Sequence, residues 1–285
     1  VTAQVQIGTD INGVAPNNVS GKSVDFSADG STVVIGAPGH IGGGIGGGQI
    51  RVFHNNLGTW TQVGTSINGT TSENIGWSVA ISDDGNTISF GAFINSNVLL
   101  RVYHNNLGVW SQVGSSFSGT PGINTIVNNY DLTLSGDGTT LATGIPANLQ
   151  VTTFHNTASV WSQVGSPINI LSSNANHYSV SLSADGTTIA IGDPGNSGGF
   201  FFNGQTKVFH NTAGTWTQVG LAIEGEAMAD FSGYCVSISA DGTTLAIGAQ
   251  GNDVNGSNSG NVRVFHNTAG TWTQVGSNIN GEAAG

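Results

Sequence analysis

Charge is what this sequence has least of. Only 7% of its 285 residues are charged, and five basic ones (Lys22, Arg51, Arg101, Lys207 and Arg263) stand against 16 acidic ones, a net charge of −11. A chain so poor in cations cannot neutralise a phosphate backbone or an anionic lipid surface, so nucleic acid and membrane insertion are excluded as partners. Cysteine occurs once, at Cys235, which rules out an internal disulfide, and its strand-like context YCVSIS predicts a buried, inert thiol. Apolar runs long enough to span a bilayer are missing, because Gly, Asn or Ser interrupts every few positions; a soluble protein is expected. No stretch keeps a helical period. Val1 rather than methionine opens the chain, which predicts a processed, secreted product or an excised piece.

What the chain has in abundance is repetition, with 45 glycines marking frequent turns. The stretch WTQVG, or a near copy, returns at Trp60, Trp110, Trp161, Trp216 and Trp272, and the closing glycines Gly8, Gly64, Gly114, Gly165, Gly220 and Gly276 lie 50 to 56 residues apart. A period of that length belongs to one architecture repeated. The whole of 1–285 therefore reads as a single domain of five units, about 9–64, 65–114, 115–165, 166–220 and 221–276, with 277–285 a truncated inter-blade linker.

The last complete unit carries four strand signals. Tyr234 to Ser239 alternates Val236 and Ile238, Asp241-Gly242 turns the chain, and Thr243 to Gly248 is rich in β-branched and aliphatic residues. Val262 to His266 is then joined to Thr271 to Val275 by a short turn in which Gly270 can take a positive φ. Both hairpins recur in every unit, the first at an Asp-Gly turn and the second at a His-Asn pair. A sheet of four short antiparallel strands cannot bury both faces alone, but five set radially cover one another. The fold class is thus all-β, a five-bladed β-propeller.

At GKSVDFSADGSTVVIGAPG and GWSVAISDDGNTISFGA the chain resembles the FG-GAP repeats of integrin α-subunit propellers and of many secreted microbial proteins. Gly21, Ser23, Val24, Asp29, Gly30 and Ile35 to Gly39 carry the likeness, with equivalents around Gly76, Gly233 and Gly248. The resemblance implies an extracellular location and a role in adhesion or ligand binding. It does not carry the family's calcium loop over, because each turn here offers one Asp, or two at Asp83 and Asp84, where calcium needs six to eight oxygens.

Candidate sites follow the repeat. One position, just before the innermost strand, holds Lys22, Trp77, Tyr130, Tyr178 and Tyr234, which would gather near the mouth of the central channel and stack on sugar rings or pack between blades. The repeated histidines would be spread around the rim, too far apart to share an ion, and are expected to bond the neighbouring turn backbone. The repeated cations are expected to pair with a carboxylate or carbonyl nearby, and the tryptophans to pack in the outer blade. Asp25, Glu73, Asp131, Asp193, Glu224, Glu226 and Asp230 are the acids a glycosidase could use, but none sits in a catalytic motif. Gly39 to Gly48 lacks the helix and Gly-Lys-Ser/Thr ending of a phosphate loop and reads as a flexible exposed loop. Sequons at Asn18, Asn68 and Asn255 lie in stretches expected to be exposed, and are the candidate glycosylation sites.

The ends are unbalanced. The outer-strand motif occurs six times for five blades, counting AQVQIG at the N-terminus, so Trp272 to Gly276 should complete blade 5 and leave the N-terminal strand free to dock elsewhere. Ala3, Gln4, Val5, Gln6, Ile7, Asn280, Gly281 and Glu282 are then the assembly candidates. The function expected is a non-catalytic extracellular scaffold or adhesion module, self-associating or binding other extracellular proteins, without cofactor or metal. A lectin-like glycan binder is the alternative and a five-bladed glycosidase the third reading.

Overall fold

A computed structural model describes residues 5–94, 97–118, 130–145, 149–170, 178–197 and 201–284. The chain is an all-β, five-bladed β-propeller of antiparallel four-stranded blades. It divides into two compact units, Val1–Ser118 with blades 1 and 2 and Gly119–Gly285 with blades 3 to 5. In blade 1 the strands are Ser23–Phe26, Thr32–Ala37, Gln49–Asn56 and Thr59–Gln62, paired in that order. Blade 5 repeats them as Ser232–Ile238, Thr244–Ala249, Asn261–Thr268 and Thr271–Gln274. Second strands are the most deeply buried, as their Val, Ile and Leu content requires: Val34, Ile88, Leu141, Ile189 and Leu245 have no exposed surface.

Each blade also holds a short strand that periodicity does not announce. Two residues of the following linker, Ile67–Asn68 in blade 1 and Ile279–Asn280 in blade 5, pair with the start of the third strand. This corrects the expectation for the C-terminal segment. Asn280 pairs with Asn261 and the Gly281 amide donates to the Gly260 carbonyl, so both are fastened to their own blade, while Glu282 is exposed.

The Asp-Gly turns share one wiring. Asp29 Oδ1 accepts from the Ser27 hydroxyl at 2.7 Å and the Ser31 amide at 2.9 Å, and Asp84, Asp137, Asp185 and Asp241 do the same with their own neighbours. The Ser27 hydroxyl, then the Ser31 amide, hold Asp29 at about 2, and Ser239 followed by Thr243 hold Asp241 at about 2. Burial pushes Asp84, Asp137 and Asp185 up, yet the same bonds bring each net below the ordinary carboxylate value. In the second hairpin, Asn55, Asn105, Asn211 and Asn267 each accept the amide of the glycine three residues on, at 2.7 to 2.9 Å. Histidine turns to a side chain instead of the turn backbone expected of it. The Nδ1 atoms of His54, His104, His155, His210 and His266 lie 3.1 to 3.3 Å from Thr32, Thr87, Thr140, Thr188 and Thr244, each across the ladder on the second strand.

Candidate functional site

The joints between consecutive blades absorb most of the residues that the sequence singles out. Trp110, Trp216 and Trp272 each reach back one unit. Trp110 Nε1 donates to the Val63 carbonyl at 2.8 Å and Trp272 Nε1 to the Val219 carbonyl at 3.1 Å, whereas Trp216 uses the Thr153 hydroxyl at 3.0 Å. For blade 1 the N-terminal segment supplies the acceptor: Trp60 Nε1 donates to the Ile7 carbonyl at 3.0 Å. Residues 5–8 therefore lie on blade 1 rather than free, with Val5, Gln6 and Ile7 exposed on their outer side; Ala3 and Gln4 lie outside the described residues. Imitation of a preceding outer strand explains the extra copy of the motif.

At the inner edge, side chains of one blade bond the backbone of the next. Asp25 Oδ2 accepts from the Ile81 amide at 2.9 Å and Asp131 Oδ2 from the Val180 amide at 3.0 Å. Ser179 and Ser181 accept from the Val236 and Ile238 amides, both at 3.1 Å. Linkers are fixed by the repeated cations. Arg101 forms a two-pronged pair with Glu73, while Arg51 donates to the Asn12 carbonyl and Ser20 hydroxyl and Arg263 to the Glu224 carbonyl and Ser232 hydroxyl. Burial lowers the Arg51 and Arg263 guanidinium values, opposed in Arg263 by Glu226 and Asp230.

Other candidate acids are equally committed. Asp230 accepts the Glu226 and Ala227 amides, Glu226 the Asn261 and Asn278 amides of their side chains, Glu224 that of Asn203, and Asp193 that of Gln205. Glu73 also accepts the Thr70 amide; burial raises its carboxyl, and Arg101 with Thr70 brings it below the usual range. Among the described residues no group of three or more His, Cys, Asp or Glu is placed to hold a metal.

The five residues proposed as a stacking platform are divided by the fold. Tyr130 and Tyr178 are buried at 4% and 0% exposure, and burial, then Asp193, raises the Tyr178 phenol. Lys22 lies over the Trp77 ring at 5.3 Å, a cation–π contact between blades 1 and 2. Only Tyr234 is exposed among the aromatics, at 41%, on the rim of a groove of about 400 Å³ lined by Cys235, Gly248, Ala249, Asn261 and Ile279. Cys235, expected to be buried, is exposed. Its equivalent Ser179 is buried and accepts the Val236 amide of blade 5.

Two further expectations change. Asn18 is only 3% exposed, with Nδ2 on His40 Nδ1 at 2.9 Å, because the Gly39 amide closes its backbone into the blade; Asn68 and Asn255 are exposed. The glycine run Gly39 to Gly48 is a bed for the next linker rather than a flexible loop. The amides of Gly69, Ser72, Asn74 and Ile75 donate to the carbonyls of Gly48, Ile45, Gly46 and Gly47. A Cβ at Gly43, Gly47 or Gly48 would strike the linker backbone, so glycine permits the close approach.

The FG-GAP repeat family model matches residues 216–265, from the fourth strand of blade 4 into the third strand of blade 5. Among curated protein sequences none matches this chain. Solved structures with a similar backbone include the periplasmic gluconolactonase PpgL of Pseudomonas aeruginosa, at 18% identity and a TM-score of 0.60 over 92% of this chain and 73% of that one. A functionally unknown protein from Desulfotomaculum acetoxidans matches at 14% identity and 0.61, over 89% and 68%. TolB of Acinetobacter baumannii matches at 14% and 0.55 over 92% of this chain, which spans 54% of the TolB chain. At these identities the likeness is one of fold.

Proposed function

We propose that this chain, an FG-GAP repeat β-propeller, is a non-catalytic extracellular scaffold or adhesion module that associates with further copies of itself. The observation that carries the reading is the employment of its acids. Each of the seven carboxylates that the sequence offers for catalysis accepts a structural hydrogen bond, which supports a structural over a catalytic use of them. Apolar surface is exposed on two blades: Val24 and Phe26 of blade 1 are 54% and 50% exposed, and Tyr234 and Ile279 of blade 5 are 41% and 63% exposed. Extracellular placement rests on the FG-GAP match and on two exposed sequons, Asn68 and Asn255.

Sedimentation velocity of the untagged protein over a wide concentration range, with electron microscopy of the same samples, tests this reading. Concentration-dependent oligomers or fibres are expected; a monomer at every concentration refutes self-association. Tyr234 beside its groove is what remains of the glycan-binding alternative. A glycan array on wild-type and Tyr234→Ala protein separates the two, since reproducible binding lost in the variant favours the lectin.

A further inference from the structure

We infer that Leu57 and Leu107, at the outer hairpin tips of blades 1 and 2, dock into two apolar grooves on blades 3 to 5 of a second copy of this chain. The inference rests on the self-associating reading and names the surfaces that carry it.

Turn chemistry and the core both argue against leucine at these tips. Asn56 pairs with Thr59 and Asn106 with Val109, so Leu57-Gly58 and Leu107-Gly108 are two-residue turns. Both residues of each turn lie at positive φ, +50° and +89° in the first and +51° and +88° in the second. Such a turn favours asparagine before its glycine, because a short polar side chain tolerates the left-handed region better than a bulky apolar one. Burial offers no compensation: Leu57 is 100% exposed and Leu107 99%. Blades 3, 4 and 5 carry the small Ala158, Ala213 and Ala269 at the same point, at φ +49° to +52°. Neither the turn nor the core accounts for the two leucines, which leaves a contact outside the chain.

Matching hollows repeat with the same period. Between blades 3 and 4, Ile168, Phe209 and Trp216 line a groove of about 290 Å³; between blades 4 and 5 their equivalents Ile223, Phe265 and Trp272 line one of about 530 Å³. Polar groups at these walls are already engaged. Trp216 Nε1 is on the Thr153 hydroxyl, Trp272 Nε1 on the Val219 carbonyl, and Arg263 on the Glu224 carbonyl and Ser232 hydroxyl. What each groove offers an incoming group is therefore apolar wall, which suits an aliphatic side chain. Two leucines one unit apart thus meet two hollows one unit apart. Ion pairing is not the attraction: at a net charge of −11 the copies repel, and Arg51, Arg101 and Arg263 are held by their own linkers. Because leucines and grooves are different surfaces, the contact is heterologous and can repeat from copy to copy into an open chain.

Leu57→Asn/Leu107→Asn is the first test. Asparagine suits the turn, so the melting temperature should equal or exceed that of wild type. Association in sedimentation velocity should weaken at least about tenfold, which is what burial of one leucine side chain supplies. Thr215→Lys/Thr271→Lys blocks the other side. Both threonines are exposed on the walls of the grooves, at the start of edge strands that accept lysine, and the added charge resists burial under a leucine. This variant should also fail to assemble alone. Mixed in equal amounts, the two variants should form a one-to-one complex that grows no further, since one keeps its grooves and the other its leucines. Unchanged association of the leucine variant, assembly of the lysine variant by itself, or no complex in the mixture overturns the inference while leaving self-association standing. Absence of wild-type assembly overturns both.

Discussion

Two glycines with nearly the same backbone angle, Gly214 and Gly233, separate the joint from the turn. Gly214 closes a hairpin at φ +86° with its amide on Asn211 Oδ1 and nothing within 4 Å of its Cβ position. Gly233 sits at φ +87° but is wedged against Gln205, Gly192 and Asp193. Alanine at either site meets the left-handed strain of about 1–2 kcal/mol, offset by about 0.4–1 kcal/mol from a stiffer unfolded chain. Gly214→Ala should therefore cost about 0–1.6 kcal/mol. At Gly233 the obstructing atoms include a backbone carbonyl oxygen and a backbone nitrogen of paired strands, which no rotamer change can move aside. Overpacking then adds about 1–3 kcal/mol. Urea unfolding followed by tryptophan fluorescence, with the slope checked for constancy, measures both variants against wild type. Equal losses within about 0.5 kcal/mol, the usual scatter for uncoupled surface changes, would refute the argument that glycine is required by the neighbouring blade.

Acid should weaken the fold within a narrow window. Asp29 and Asp241 stay charged to about 2 when folded against an ordinary value of 3.8, so the stability they contribute is complete above about pH 4 and is lost as pH falls through about 2. Carboxyl NMR titration checks this, and native-state midpoints near 4 would contradict it. Trp272→Phe keeps an aromatic six-membered ring but removes the indole N–H that donates to Val219, for an expected loss of at least about 0.5–1.5 kcal/mol in thermal or urea unfolding; no loss would mean the bond to the preceding unit is idle. Secreted from a glycosylating host, the protein should carry glycan at Asn68 and Asn255 but none at Asn18, whose side chain is sealed against His40; glycopeptide mass spectrometry that finds Asn18 occupied would overturn the burial argument.

Repetition made the blades legible. A hairpin turn is a local object, and Ser27, Asp29 and Gly30 specify theirs within four residues, so the Asp-Gly and His-Asn hairpins could be placed by reading alone. Linker strands could not. Ile67–Asn68 is too short to show a period, and it exists because the third strand of its blade offers Gln49 and Ile50 a partner. Exposure was misjudged for the same reason. Ser179 lies in a strand similar to that of Cys235, and what buries it is the following blade, whose Val236 amide it accepts; burial of a blade edge is not a property of the strand itself.

The extra outer strand at the N-terminus shows both sides of this division. By itself the sequence determined that one copy of the motif exceeds the number of blades, since counting repeats needs no coordinates. Only the tertiary structure decided what that copy does: Ile7 satisfies Trp60, because a half-buried indole N–H needs an acceptor and the carbonyl of this segment is the one within reach.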